Sequence, residues 1–208
     1  MKKDAYKKLF YFLVLVLFFG GLFFFTNRTK APEEISSDLP LPGPLLPGEG
    51  EVDPAYKELI TKGHQLYLEE KYEEALVYFK QALRLEQNDR IYRSLYSSYL
   101  GLKDYKNAEI AIKKAASGIN KGIPNNWLEY AFFEVSYMKA SFEIVSQIYL
   151  DALKATDNNI DIITGYASYL VEMKKYDEAI KYLELAITVD SARKSTFQAE
   201  IDYLRGRQ

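Results

Sequence analysis

The most prominent feature of the hydrophobic pattern is an uncharged apolar run at residues 9–25, LFYFLVLVLFFGGLFFF. As a helix rising about 1.5 Å per residue, this run is roughly 26 Å long, which is at the short end of what spans a hydrocarbon core of ~30 Å. Thr26 extends the run by one position. The pattern therefore predicts a transmembrane signal-anchor helix over residues 9–26.

The charges on either side of this run predict its orientation. The segment before it is basic, and its lysines are Lys2, Lys3, Lys7 and Lys8. The segment after it carries Arg28 and Lys30 and then turns acidic. Because positive charge is preferentially retained in the cytoplasm, we expect residues 1–8 to form a cytoplasmic tail. The protein would then be a single-pass protein of the cell membrane, with its folded part on the periplasmic or cell-surface side.

A cleaved signal peptide is the alternative interpretation of the same segment. A signal peptide has an apolar core of about 7–15 residues followed by small residues at the cleavage site, and this run is longer. The nearest approximation to a cleavage site lies after Ala31, where Pro32 follows directly and makes the bond a poor substrate. These features favour an uncleaved anchor.

Residues 27–53 form a proline-rich stretch that interrupts the hydrophobic pattern. Each proline removes a backbone donor and disfavours helix; they are Pro32, Pro40, Pro42, Pro44 and Pro47, with Pro54 directly after the stretch. The composition predicts a semi-extended linker between the membrane and the next domain. A polyproline ligand for a partner protein is the alternative, and the position beside a membrane anchor favours the linker.

From residue 54 the apolar positions follow a helical period, and the pattern itself repeats. KYEEALVYFKQAL at 71–83 recurs as DYKNAEIAIKKAA, SFEIVSQIYLDAL and KYDEAIKYLELAI, at spacings of 33, 37 and 34 residues. Four columns align across the units. They are Tyr72, Tyr105, Phe142 and Tyr176; Ala75, Ala108, Val145 and Ala179; Phe79, Ile112, Tyr149 and Leu183; and Ala82, Ala115, Ala152 and Ala186. Small residues seven positions apart lie on one helical face, where they allow another helix to approach closely.

These columns resemble the tetratricopeptide repeat, whose period is about 34 residues. The first unit matches best, whereas Tyr96 and Phe133 stand where the first unit has Gly63, and an inserted SGINKGIPNN precedes the third unit. The resemblance implies an all-α, tetratricopeptide-type helical-repeat solenoid, here preceded by a transmembrane helix. We expect four repeats within residues 54–193, at about 56–89, 89–122, 126–159 and 160–193, followed by a capping helix at 194–208.

Composition argues against catalysis and against nucleic acid as a partner. The 27 basic and 29 acidic residues are interspersed, there is no cysteine, and His64 is the one histidine. The sequence contains no glycine-rich phosphate loop, HExxH, GxSxG or EF-hand motif. We therefore expect no enzyme activity, no cofactor, no metal site, no small-molecule substrate and no nucleic-acid binding.

The resemblance implies a peptide-binding groove lined by the first helix of each unit. Mapping that surface through the aligned columns gives His64, Tyr67, Arg90, Arg93, Ser97, Trp127, Tyr130, Glu134 and Tyr137. Tyrosine, tryptophan and arginine are enriched at binding hot spots, although inter-repeat packing is the alternative for each aromatic side chain. Arg93 and Trp127 are expected to face the same groove. The Lys and Asn set by which some members of the family hold a terminal carboxylate is replaced here by Ile60, His64, Ser94 and Ala131.

Two functions remain for a membrane-tethered chain of this type. The first is a scaffold or chaperone-like adaptor that binds a peptide or partner protein in the groove. The alternative is a structural subunit of a cell-envelope assembly, such as a secretion, pilus or wall-synthesis complex, that binds through its outer surface.

Overall fold

The computed structural model describes residues 53–118 and 120–207, and within these ranges the chain is entirely helical apart from turns. The helices are α1 Pro54–Leu68, α2 Tyr72–Leu85, α3 Asp89–Gly101, α4 Tyr105–Ser117, α5 Pro124–Phe133, α6 Phe142–Ala155, α7 Ile160–Glu172, α8 Tyr176–Val189 and α9 Lys194–Arg205. A π-helical turn, Glu134–Met138, follows α5, and a 3-10 turn, Ser191–Arg193, precedes α9. The predicted all-α repeat fold is confirmed.

Successive helices pack as antiparallel pairs, and each pair packs on the next. The first helices of the four units are α1, α3, α5 and α7, and the second helices are α2, α4, α6 and α8. The helix α9 packs on α8 and buries Phe197, Ile201 and Leu204 against it. Because each element contacts its neighbours in sequence, the fold is stabilised by local interfaces, as is typical of repeat proteins.

Short polar side chains determine where most first helices begin. The carboxylate of Asp53 accepts a hydrogen bond from the Ala55 amide at 2.8 Å, directly before the Pro54 that starts α1. The side chains of Asn88 and Asn159 accept similar bonds from Ile91 and Asp161. These caps satisfy amides that have no partner within the helix, each contributing about 1 kcal/mol.

The turn between the helices of each unit contains one residue in the left-handed conformation, with φ between 54° and 59°. These residues are Glu70, Lys103, Lys139 and Lys174. In the first unit the following amide, on Lys71, bonds the carbonyl of Leu66 five residues back. This arrangement satisfies a terminal carbonyl and reverses the chain within a few residues.

The aligned small residues lie at the helix crossings, as predicted. Ala75, Ala108, Val145, Ala179, Ala82, Ala115, Ala152 and Ala186 have no exposed surface. In the first unit the close approach extends to Gly63, where an added Cβ would lie 2.5 Å from the ring of Phe79. The crossing of α1 and α2 therefore depends on the absence of a side chain at Gly63.

The first helix of the third unit contains one extra residue near its C-terminal end, compared with the other three units. Amides of Lys71, Asp104 and Lys175 bond carbonyls five residues back, whereas the amide of Ala140 bonds the carbonyl of Glu134, six residues back. The π-helical turn Glu134–Met138 accommodates this extra residue. The register of α5 relative to α6 is therefore shifted by one position.

The predicted tail, transmembrane helix and linker all fall outside the described residues. Among residues 53–118 and 120–207, no helix has both the length and the apolar character needed to cross a membrane. The anchor at residues 9–26 therefore stays a prediction from the sequence, as do the predicted domain boundaries.

Candidate functional site

Side-chain contacts connect the first helices into one continuous surface, which we call the inner face and define as the common surface of α1, α3, α5 and α7. His64 Nε2 lies 3.1 Å from Ser94 Oγ, which joins α1 to α3. Arg93 Nη2 lies 3.4 Å from Glu129 Oε2, which joins α3 to α5. An added Cβ on Gly165 would lie 2.9 Å from Leu128 Cδ2, which shows how closely α5 and α7 approach.

His64 is half-buried at the junction of the first two units. Its ring meets the edge of Phe79 with a centroid separation of 5.3 Å. Burial, and secondarily the positive charge of Arg90, lower the pKa of His64 below its ordinary value. The imidazole is therefore neutral at pH 7 and contributes hydrogen bonding, but no positive charge, to the inner face.

The Arg93–Glu129 ion pair occupies the middle of the inner face. The two side chains are 28% and 15% exposed, so the pair is only partly hydrated. Burial raises the pKa of Glu129, and the neighbouring guanidinium of Arg93 opposes this shift. The buried Arg93 Nε–H has no hydrogen-bond partner, so the guanidinium is only partly satisfied by Glu129.

The nine residues predicted to line the groove do not form one exposed surface. Side chains that are 3–7% exposed contribute to packing, and these are Tyr67, Ser97, Trp127, Tyr130 and Glu134. Tyr137 is half-buried and lies 5.3 Å from both Phe133 and Tyr105, measured between ring centroids. His64, Arg90 and Arg93 are the half-exposed polar members, and the role of all nine in binding stays a prediction.

Comparison with known proteins agrees with this architecture. The family model described as the tetratricopeptide repeat matches residues 59–89 and 160–193, which are the first and fourth units. The chain contains tetratricopeptide repeats. No curated protein sequence matches the chain.

Solved structures with the same fold include two other tetratricopeptide proteins. PilF of Pseudomonas aeruginosa is 18% identical, with a TM-score of 0.50 over 74% of this chain and 69% of that one. The ArsTM double mutant of MamA RS-1 is 12% identical, with a TM-score of 0.52 over 76% of this chain and 86% of that one. At these identities the likeness establishes the fold.

The tetratricopeptide register of the third unit corrects the predicted positions on α5. The buried residues Ile91, Ser94, Leu95 and Ser98 of α3 correspond, 36 residues later, to the buried residues Trp127, Tyr130 and Ala131 of α5 and Glu134 of the π-helical turn. The second helices are instead 37 residues apart. Alignment through the second helices therefore matched Arg93 with Tyr130, whereas the structural counterpart of Arg93 is its ion-pair partner Glu129.

Trp127 consequently does not share a surface with Arg93, contrary to the prediction. Its indole N–H donates to the carbonyl of Lys121 at 2.8 Å and secures the inserted turn before α5. The exposed edges of Trp127 and Tyr130 lie in a depression of about 270 Å³ between α4 and α6, on the side of the second helices. Glu129 is the inner-face residue that the sequence analysis missed. The 37-residue spacing of the second helices, three more than the usual period of about 34, was the available signal. Two of the extra residues lie before α5, and one lies in the π-helical turn.

The titratable side chains of the described residues do not converge on a metal site. No group of three or more His, Asp or Glu side chains in residues 53–118 and 120–207 is placed to hold a metal ion. Burial of Glu134 and the nearby charge of Glu109 raise the pKa of its carboxyl group, and its Oε1 lacks a partner. The carboxyl group lies near Glu109 and Lys113 of α4, so its charge bears on the stability of this contact.

Proposed function

We propose that this protein is a membrane-tethered adaptor whose inner face binds a peptide segment or partner protein outside the cytoplasm. The observation that supports this most strongly is the continuous polar strip across three units, formed by His64, Arg90, Arg93 and Glu129. These groups are half-buried, so a bound segment would complete the desolvation of charged side chains that are already positioned. Partly buried, preorganised charges give directional binding at a lower entropic cost than flexible surface lysines.

The tether and the topology are proposed from the sequence. The uncharged run at residues 9–25 and the four lysines before it favour an anchor with the repeats outside the cytoplasm. A reporter that is active only outside the cytoplasm, fused after Gln208, should be active. Activity of a cytoplasm-only reporter at the same position would overturn this topology.

Capture of partners by the full-length chain tests the role of the inner face. Arg90→Ala removes a half-exposed cation from α3 and should reduce the amount of partner recovered from an envelope extract. Arg205→Ala is the matched control, because Arg205 is exposed on α9 and pairs with Glu184 at 3.0 Å, away from the inner face. Both variants must melt at the temperature of the wild type. If both variants recover the same amount of partner, the inner face is not the binding site.

The alternative function, a structural subunit of a cell-envelope assembly, is favoured by one observation on the second helices. Val77, Ile110 and Ile144 project from α2, α4 and α6 and are 53%, 52% and 51% exposed. Apolar side chains exposed on successive helices are common at subunit interfaces. Ile110→Ser would then abolish capture of one stoichiometric partner, whereas the adaptor hypothesis predicts normal capture by this variant.

A further inference from the structure

The first helices of the first two units are net basic, and those of the last two units are net acidic. α1 carries Lys57, Lys62 and Glu58, and α3 carries Arg90, Arg93 and Asp89, so each has a net charge of +1. α5 with its π-helical turn carries Glu129 and Glu134, and α7 carries Asp161 and Glu172, so each has a net charge of −2. Neither of these last two elements contains a lysine or arginine.

Exposure shows which of these charges can meet a ligand. Lys57 is exposed and Arg90 is half-exposed in the basic half, while Asp161 is exposed in the acidic half. Lys62 lies over the ring of Tyr78 on α2, and Glu172 lies near Tyr149 of α6, so neither belongs to the inner face. Glu134 is 5% exposed and lies near Glu109 and Lys113 of α4, so it does not contribute to the inner face. The charge asymmetry therefore exists on the accessible surface itself.

The Arg93–Glu129 pair lies where the two halves meet. Its contact is long, at 3.4 Å, and the Nε–H of Arg93 is buried without a partner. A ligand carboxylate approaching from the basic side would compete with Glu129 for the guanidinium. A ligand cation approaching from the acidic side would compete with Arg93 for the carboxylate.

We propose that the inner face binds an extended peptide segment with opposite charges at its two ends, the acidic end over α1 and α3 and the basic end over α5 and α7. This inference rests on the proposed function, since it takes the inner face as the binding site. Charge complementarity fixes the ligand class and its direction of binding, because reversing the segment would place like charges together at both ends. A uniformly acidic or uniformly basic segment would match only half of the face.

The first test compares two synthetic peptides of identical composition with the full-length chain. One peptide has four glutamates at one end and four lysines at the other, separated by a short neutral spacer, and the second alternates the same charges. Fluorescence anisotropy should show at least about tenfold tighter binding of the block-charged peptide, weakening as salt rises. Arg90→Ala should weaken its binding about tenfold, and Arg205→Ala should not. Equal affinity for the two peptides, or no binding of either, overturns the proposal.

The second test determines the direction of binding and exploits the absence of cysteine. Single variants Leu68→Cys on α1 and Ser168→Cys on α7 place a thiol in each half, and Gln81→Cys on the exposed side of α2 is the control. With an added thiol oxidant that takes up the two electrons, a thiol at the acidic end of the peptide should form a disulfide with Leu68→Cys, and a thiol at the basic end with Ser168→Cys. Equal trapping at both positions, or trapping at Gln81→Cys, overturns the proposal.

The two tests separate this inference from the proposed function. If capture of natural partners depends on Arg90 while the two peptides bind equally, the charge-polarised ligand is wrong and the adaptor function stands. If neither capture nor peptide binding depends on Arg90, both are wrong.

Discussion

The first and third repeat units share a fold, but their first helices pack differently. In the first unit, α1 runs without interruption from Pro54 to Leu68 and approaches α2 closely at Gly63. In the third unit, α5 is shorter and continues into a π-helical turn that takes up one extra residue. The difference shows that a repeat can keep its second helix in register while its first helix shifts, which changes the residues presented on the inner face.

The largest effect on the free energy of unfolding should come from placing a large side chain on the second helix, where it crosses the first. This crossing is alike in the two units. Ala82 and Ala152 are both fully buried, so Ala82→Trp and Ala152→Trp should each lower the free energy of unfolding by about 3 kcal/mol. Chemical denaturation followed by circular dichroism measures this, with the exposed Glu73→Gln as control. Tolerance of Ala152→Trp alone would mean that the irregularity of the third unit extends to α6.

These second-helix positions are also the part of the fold that the sequence predicts well. A column of small residues at fixed spacing has one explanation in a helical repeat, so Ala82 and Ala152 could be aligned without a structure. The register of α5 could not, because WLEYAFFEVSYM is apolar on several faces and fits either alignment. The ambiguous register of α5 is one reason why the sequence did not reveal Glu129. The other is that the role of Glu129 depends on Arg93, a residue of another unit, and not on its own neighbours in the chain.

A second effect should be specific to the first unit. The Cβ added by Gly63→Ala would lie 2.5 Å from Phe79 and must displace the ring, which we expect to destabilise the domain by about 2 kcal/mol. The double variant Gly63→Ala with Phe79→Leu should recover part of this loss, because the smaller side chain makes room for the methyl group. A Gly63→Ala protein as stable as the wild type would contradict the close crossing of α1 and α2.

A third effect should be specific to the π-helical turn of the third unit. The pKa of Glu134 is raised in the folded state, so the contribution of this carboxyl group to stability should fall as pH rises above about 4.5, its ordinary value, until the folded-state pKa is passed. Glu134→Gln should remove this contribution and raise the free energy of unfolding at pH 7 by about 1 kcal/mol.

Urea titrations of the wild type and Glu134→Gln between pH 4 and pH 8 measure this difference. Glu73→Gln is again the control and should follow the wild type. A stability difference between Glu134→Gln and the wild type that does not change with pH would show that Glu134 acts through packing and not through its charge.

A smaller effect on stability should be common to both units, because in both the chain reverses direction through a residue in the left-handed backbone conformation. Glu70→Gly and Lys139→Gly relieve a conformation that costs a residue with a Cβ roughly 1 kcal/mol, and each should stabilise the domain by up to about that amount. Ala199→Gly, in the exposed interior of α9, should instead destabilise it by about 1 kcal/mol. Thermal melts of the three variants measure these changes. Equal stabilisation by Glu70→Gly and Lys139→Gly would show that the turn has the same conformation in both units, despite the shifted register of α5.

The ion pair between α3 and α5 tests the shifted register, and with it the composition of the inner face, most directly. A double-mutant cycle with Arg93→Ala and Glu129→Ala should give a coupling of about 0.5 to 1 kcal/mol in the free energy of unfolding, since the pair is partly hydrated. The parallel cycle with Arg93→Ala and Tyr130→Phe should give none. Coupling of Arg93 to Tyr130 and not to Glu129 would restore the unshifted register and contradict the account.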